Sequence, residues 1–285
     1  VSENVALALR AATERLGSTS DTARLDAELL MAHALGVTRS ELLLRHMGDP
    51  APAGFAGLVA RRVLHEPVAY IVGEQEFRSL GFLVTPEVLI PRGDSEVLVE
   101  AALAARPDAA RVLDCGTGSG ALLVAVLAEL PWAQGIGIDR SLGALAVAAA
   151  NAARLELGDR VRILRADWRE AGWAVALGRF DLILANPPYV EDHATLARSV
   201  REHEPAGALF AGPEGLDDYR VLVPQLPALL APGGAVLVEI GATQAEPVGA
   251  IARQAGFAVA LHRDLAGRPR VLELQIPLGK APASA

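Results

Sequence analysis

Along the chain the spacing of apolar residues changes twice. From Val5 to Leu16, and again from Ala23 to Leu35, apolar side chains recur every three or four residues, which gathers them on one face of a helix. Gly17 and Gly36 stand just past these runs, where helices commonly end on a residue free to turn left-handed. Ser20-Asp21 offers side-chain oxygens to the unpaired N–H groups of the second helix's first turn. A third helix is expected from Ala53 to Leu64. Residues 1–72 therefore predict a small all-helical domain. Over 74–90 the pattern changes: Phe77, Phe82, Val84, Val88 and Ile90 lie among Gly81 and Pro86, as in a β-hairpin, and 73–92 is read as a linker.

From residue 93 to 285 short apolar runs alternate with helical stretches. Arg111–Asp114, Gly135–Asp139, Arg162–Ala166, Leu182–Ala185 and Val236–Ile240 read as strands, and Leu142 to Leu155 is the clearest of the helices between them. Such alternation predicts an α/β domain, a parallel sheet with crossover helices. The end departs from it. Phe257–Asp264 and Arg270–Ile276 flank a short loop containing Gly267, which predicts an antiparallel hairpin at the sheet edge. The segment from Lys280 to Ala285, small residues and proline, reads as a frayed tail.

Composition narrows the function. Apolar residues make up 52% of 285, enough for a substantial core. A net charge of −8 speaks against a broad grip on nucleic acid, which needs clustered cations. The single cysteine, Cys115, fits a reducing, cytoplasmic setting, and no apolar run is long enough to suggest a membrane span or secretion signal. No Cys/His cluster has metal-ligand spacing, so no metal is expected. His193 and His203 read as surface residues.

Two stretches carry candidate chemistry. In VLDCGTGSGALLVAVLAEL (112–130) a strand runs into glycines 116, 118 and 120 and then a helix, so the backbone can turn sharply and approach a ligand without a Cβ in the way. Gly116-x-Gly118-x-x-Ala121 also satisfies a dinucleotide fingerprint, with Asp139 near the distance of a ribose-binding acid, and a dehydrogenase is a rival on this motif. Asp114 before the loop suits a cation better than a pyrophosphate. Asp167-Trp168 closes the third strand with an acid for an adenine amino group and an aromatic to stack. S-adenosyl-L-methionine, with an ammonium, a ribose diol, an adenine and no phosphate, matches Asp114, Asp139 and Asp167 one strand end at a time. Taken singly, Asp139 and Asp167 could also be helix or turn caps.

The second stretch is LILANPPYVED (182–192). Pro187 and Pro188 cannot continue a ladder, so Asn186-Pro187-Pro188-Tyr189 ends the strand in a rigid run of carbonyls with few donors. With the Asn186 side-chain oxygen and the flat Tyr189, this suits a substrate that donates from an –NH2 group. A plain turn has the same spelling.

These motifs resemble the class I S-adenosylmethionine-dependent methyltransferases. More narrowly, the chain resembles the PrmC/HemK family, which methylates the glutamine of the GGQ motif in peptide-chain release factors. The likeness rests on EPVAYIVGEQEF (66–77), VLIPRGDSEVLV (88–99), DCGTGSG, ADW (166–168) and NPPY. It continues in EPAGALFAGPEGLDDYR (204–220), LAPGGAVLVEIGATQ (230–244) and DLAGRPRV (264–271). The family has proline at the place of Gly93 and threonine at that of Ser95, which keeps the hydroxyl. The resemblance implies a Rossmann-like seven-stranded sheet and a cofactor held at Gly116, Thr117, Gly118, Ser119, Gly120, Asp139, Trp168 and Asn186. It implies a glutamine side chain held along Asn186 to Tyr189, with Arg92 and Glu96 on the flanking segment. The small contacts of the pocket make residues 1–72 the candidate docking surface for the release factor, although such a unit could also be packing mass; the chain is expected to be a monomer without direct contact to nucleic acid. NPPY alone is shared with methyltransferases acting on exocyclic amino groups of nucleic-acid bases, which remain the alternative.

Overall fold

The computed structural model describes residues 4–277; the expected frayed tail lies outside them. The chain forms two compact units, residues 4–74 together with Leu196–Glu204, and 75–195 together with 205–277.

The first unit is helical. Its helices Val5–Leu16, Ala23–Leu35 and Phe55–Val63 follow the periodicity of the sequence, joined by short turns at Arg39–Glu41, Leu42–His46 and Val68–Val72. Val5, Ala8, Leu9, Ala12 and Leu16 form one buried stripe against Leu30, Met31 and Val59. The helix starts and stops differ in detail from expectation. Gly36 is left-handed at φ 68°, but Gly17 keeps a right-handed φ of −59°. The second helix begins after Thr22, because the Ser20 and Thr22 hydroxyls donate to Asp26 instead of capping a first turn. Arg62 Nε completes the shell of that carboxylate at 2.7 Å. Asp26 can thus be buried with its lone pairs occupied.

A hairpin of β1 (Glu74–Phe77) and β2 (Leu80–Leu83) belongs, from Gln75 on, to the second unit. Its two turn residues, Arg78 and Ser79, both have positive φ, as a two-residue turn matched to strand twist requires. A seven-stranded sheet follows, from β3 (Arg111–Cys115), β4 (Gln134–Asp139), β5 (Val161–Arg165), β6 (Phe180–Ala185), β7 (Leu230–Glu239), β8 (Ala258–Arg263) and β9 (Pro269–Gln275). The strand order is β5-β4-β3-β6-β7-β9-β8, with β9 antiparallel to both of its neighbours and the other pairs parallel. β7 starts six residues before its expected beginning. Leu230 already pairs with Phe180, and the irregularity containing Pro232 and two glycines precedes the Leu182–Ala235 pair.

Successive residues of a strand point to opposite faces, and here both faces are covered. Val112, Leu182, Leu184 and Leu237 meet the helices Glu96–Ala105 and Ala121–Glu129 on one side. Leu113, Cys115, Ile183, Val236 and Val238 meet Tyr219, Leu222 and Leu226 on the other. Each fully buried aliphatic side chain contributes about 1.5–3 kcal/mol, which fixes the register strongly. That register brings Cys115 level with Ala185, so the glycine loop and Asn186 emerge side by side. The strand order reverses between β3 and β6, and such a switch point leaves a crevice at the carboxyl ends of the strands. No helix among the described residues is long and apolar enough to cross a membrane.

Candidate active site

A cavity of about 220 Å³ opens at this crevice, wholly within the second unit. Gly116, Thr117, Gly118 and Ser119 line it at the end of β3, Asp139 at the end of β4, Asp167 and Trp168 beyond β5, and Asn186 and Pro188 after β6. The segment Val88–Arg92 and Ser95 form a further wall.

The glycine loop is held by its own backbone. Gly116, Gly118 and Gly120 all have positive φ. At Gly116 a Cβ would stand 3.1 Å from the Trp168 ring, so glycine is also what lets that indole lie against the loop. The Gly116 and Thr117 N–H groups both donate to the Ile138 carbonyl, at 2.9 and 2.8 Å. Gly118 N–H donates to Asp139 Oδ2 at 3.0 Å, and Gly120 N–H to the Thr117 carbonyl at 2.7 Å. With these four N–H groups satisfied within the protein, the loop holds its shape without a ligand.

The three acids occupy three environments. Asp139 takes Gly118 N–H on one oxygen and Ser141 N–H at 2.9 Å on the other, yet still faces the cavity. It braces the helix start, while Ser141 itself caps Leu142–Arg154 by accepting from Ala144 N–H. Asp167 accepts Arg169 N–H at 2.9 Å and lines the cavity. Asp114 does not line it. Its side chain lies beneath the loop, 1% exposed, accepting from Thr117 Oγ1 at 2.7 Å with Oδ1 unpartnered. Burial, reinforced by the charge of Asp139, pushes the Asp114 carboxyl up to about 7 despite the Thr117 bond.

At the other end, Pro187 is buried and Tyr189 packs into the core rather than forming a wall of the cavity. The Tyr189 hydroxyl lies 3.5 Å from Glu239 Oε1, and burial beside that carboxylate pushes the phenol up to about 12. Arg92 faces the cavity. Glu96 does not, which corrects its place beside Arg92: its carboxylate turns to the hairpin and accepts Arg78 N–H at 3.2 Å, supporting the β1–β2 turn.

Several buried polar residues at the site were given no role by motif reading. Asp218 joins the cavity wall and accepts from Trp168 Nε1 at 3.0 Å and twice from Arg169 Nη2, so it sets the tilt of the indole. Asn151 is fully buried and bonds both Leu83 backbone groups and the Ser119 carbonyl, tying the hairpin to the glycine loop. Glu239, at the end of β7, is 3% exposed with Oε2 unpartnered. Burial pushes its carboxyl up to about 7, against the opposite pull of Ser95, Arg270 and Asn186. Among the described residues no cluster of three or more His, Cys, Asp or Glu could hold a metal ion.

The fold is that of methyltransferases. An O-methyltransferase family protein from Burkholderia thailandensis superposes with a TM-score of 0.51 at 18% identity, covering 93% of this chain and 98% of its own. A methyltransferase from Pyrococcus furiosus does so at 0.54 and 17%, covering 78% and 100%. Residues 8–73 match the PrmC N-terminal domain and residues 93–203 the methyltransferase small domain. The release factor glutamine methyltransferase of Cereibacter sphaeroides is 45% identical over 95% of this chain and 98% of its own length. That of Geobacter sulfurreducens is 46% identical over 83% and 84%. The chain belongs to the release factor glutamine methyltransferase family.

Proposed function

We propose that the protein transfers a methyl group from S-adenosyl-L-methionine to the side-chain amide nitrogen of the GGQ glutamine in peptide-chain release factors. The observation that carries this reading is that one cavity is lined both by the glycine loop with Asp139 and Trp168 and by Asn186 of the NPPY turn. Relatives bearing the name release factor glutamine methyltransferase supply the substrate class.

The residues present fit this cofactor. Asp139 offers carboxylate oxygens suited to a ribose diol. Trp168 gives a flat face, Asp167 an acceptor for an adenine amino group, and Val88–Ile90 an apolar wall. Asp114, buried under the loop, acts through Thr117 and through its field. When bound, S-adenosylmethionine supplies a methyl group already activated on a sulfonium.

The chain's own task is then alignment and electrostatics. A glutamine nitrogen is a poor nucleophile, because its lone pair is delocalised into the carbonyl. The Asn186 side-chain oxygen and the Pro187 carbonyl accept its two N–H bonds, which turns the lone pair toward the incoming methyl and stabilises the positive charge that grows on nitrogen. Pro188 and Arg92 border the substrate's approach. The methylated nitrogen is acidic and loses its proton to water, so no dedicated base is needed. His193, with its side chain 74% exposed, has no part in this. We place the reaction in the cytoplasm, on a protein substrate docked through residues 1–72, with a monomeric enzyme and no direct contact to nucleic acid.

The test is methyl-labelled S-adenosylmethionine offered to intact release factor and to total RNA and DNA, with the modified residue located by mass spectrometry. Labelled methyl on the GGQ glutamine is expected. Label on adenine or guanine, or on nothing, sinks the reading.

A further inference from the structure

Gln244 immediately precedes the Ala245–Gln254 helix. Helix starts favour Ser, Thr, Asp or Asn, whose short side chains reach the first free N–H groups, and a helix lacking such a cap is less stable. Gln244 makes no capping bond. Its side chain turns inward and is 7% exposed. Nε2 donates to the carbonyls of Tyr189 at 3.0 Å and Gly215 at 3.1 Å, and Oε1 accepts Gly241 N–H at 3.0 Å. One planar amide thus ties the NPPY turn to two other loops.

Gly215 closes on the same carbonyl from another direction. Its φ is +65°, and a Cβ there would stand 2.3 Å from the Tyr189 oxygen. Pro187 and Pro188 have no N–H, so this turn has few donors with which to fix itself and is held through its carbonyls. A helix start that gives up its cap to hold a neighbouring loop is a local inconsistency of the kind found at functional sites.

We propose that Gln244 is a positioning residue for methyl transfer: by seating the Tyr189 carbonyl it fixes the Asn186–Tyr189 turn, and so sets where the Asn186 amide stands. This rests on the reading of Asn186 as the acceptor for the substrate amide.

Gln244→Met keeps length and removes all three bonds. Gly215→Ala displaces the same carbonyl without touching Gln244. Both full-length variants are compared with wild type by calorimetric titration of S-adenosylmethionine and by kcat and KM on intact release factor. The expected result is full stoichiometry and an unchanged Kd for the methyl donor, with kcat lowered about 10–100-fold. A wild-type kcat in Gln244→Met overturns the proposal. So does a loss of donor binding in proportion to the loss of turnover, which makes Gln244 a residue of folding alone. Should Gly215→Ala fail to fold, Gln244→Met decides by itself. Asn186→Ala separates the two readings: near-normal turnover there defeats the acceptor role, whereas a dead Asn186→Ala beside a normal Gln244→Met defeats only the positioning role.

Discussion

The two loops that meet at the cavity leave adjacent strands at the same level, yet they are held in opposite ways. The glycine loop is secured from within and from its nearest neighbour: Ile138, Asp139 and Thr117 take its N–H groups. The NPPY turn, with two prolines, is secured from a distance by side chains of the β7 exit, Glu239 and Gln244. A loop with donors can rely on local sequence for its shape. One without them must be gripped by residues far along the chain.

This contrast can be broken from either side. The largest effect is expected at the NPPY end, where Asn186→Ala should lower kcat by roughly 10²–10³-fold, as for loss of one preorganised group in a transition state. Calorimetry should find the affinity for S-adenosylmethionine largely kept. Asp139→Ala reverses the pattern. Losing hydrogen bonds to a carboxylate should weaken the methyl donor by about 2–3 kcal/mol, read as Kd, with part of the change shared by stability because Gly118 and Ser141 lose their acceptor. Gly116→Ala tests the loop's internal rigidity. An alanine at φ 75° and 3.1 Å from Trp168 should cost about 1–2 kcal/mol in urea unfolding.

The smallest effect is one of slope. Asp114 and Glu239 both have folded-state carboxyls raised to about 7, so the folded protein holds protons that the unfolded chain has released. Stability in the absence of cofactor should therefore be fully favoured below the ordinary carboxylate range and fall as pH rises through 7. Glu239→Gln should remove about 1 kcal/mol of the decline between pH 6 and 8. An unchanged slope would show that the carboxyl is ionised throughout.

The same contrast explains what the sequence made legible. Helices 5–16 and 23–35 were readable because their buried faces obey helical spacing, and the strands because both sheet faces are apolar. Gly116, Gly118, Asp139, Trp168 and Asn186 stood out because each lies at or just past a strand end, and their placement on one cavity follows from the strand order; Gly120, expected with them, caps the next helix and does not line the cavity. Glu239 and Gln244 lie inside the 230–244 stretch that carries the family likeness, but nothing local says they face a turn some fifty residues earlier. Asp218 and Asn151 are likewise defined by distant partners. Glu96 was misplaced for the complementary reason. Its neighbour Arg92 faces the cavity, but the intervening turn at Gly93–Ser95 directs Glu96 elsewhere.

Cys115 ends β3 directly beneath the glycine loop, wholly buried, and burial beside Asp114 raises its thiol well above the usual range. A thiol in that state is inert to alkylation and oxidation while the strand stays paired on both sides. As the chain's single cysteine, it is a silent label at the centre of the sheet. Its modification rate counts how often the cofactor-binding half of the molecule comes open, and a ligand that clamps the loop will slow that clock.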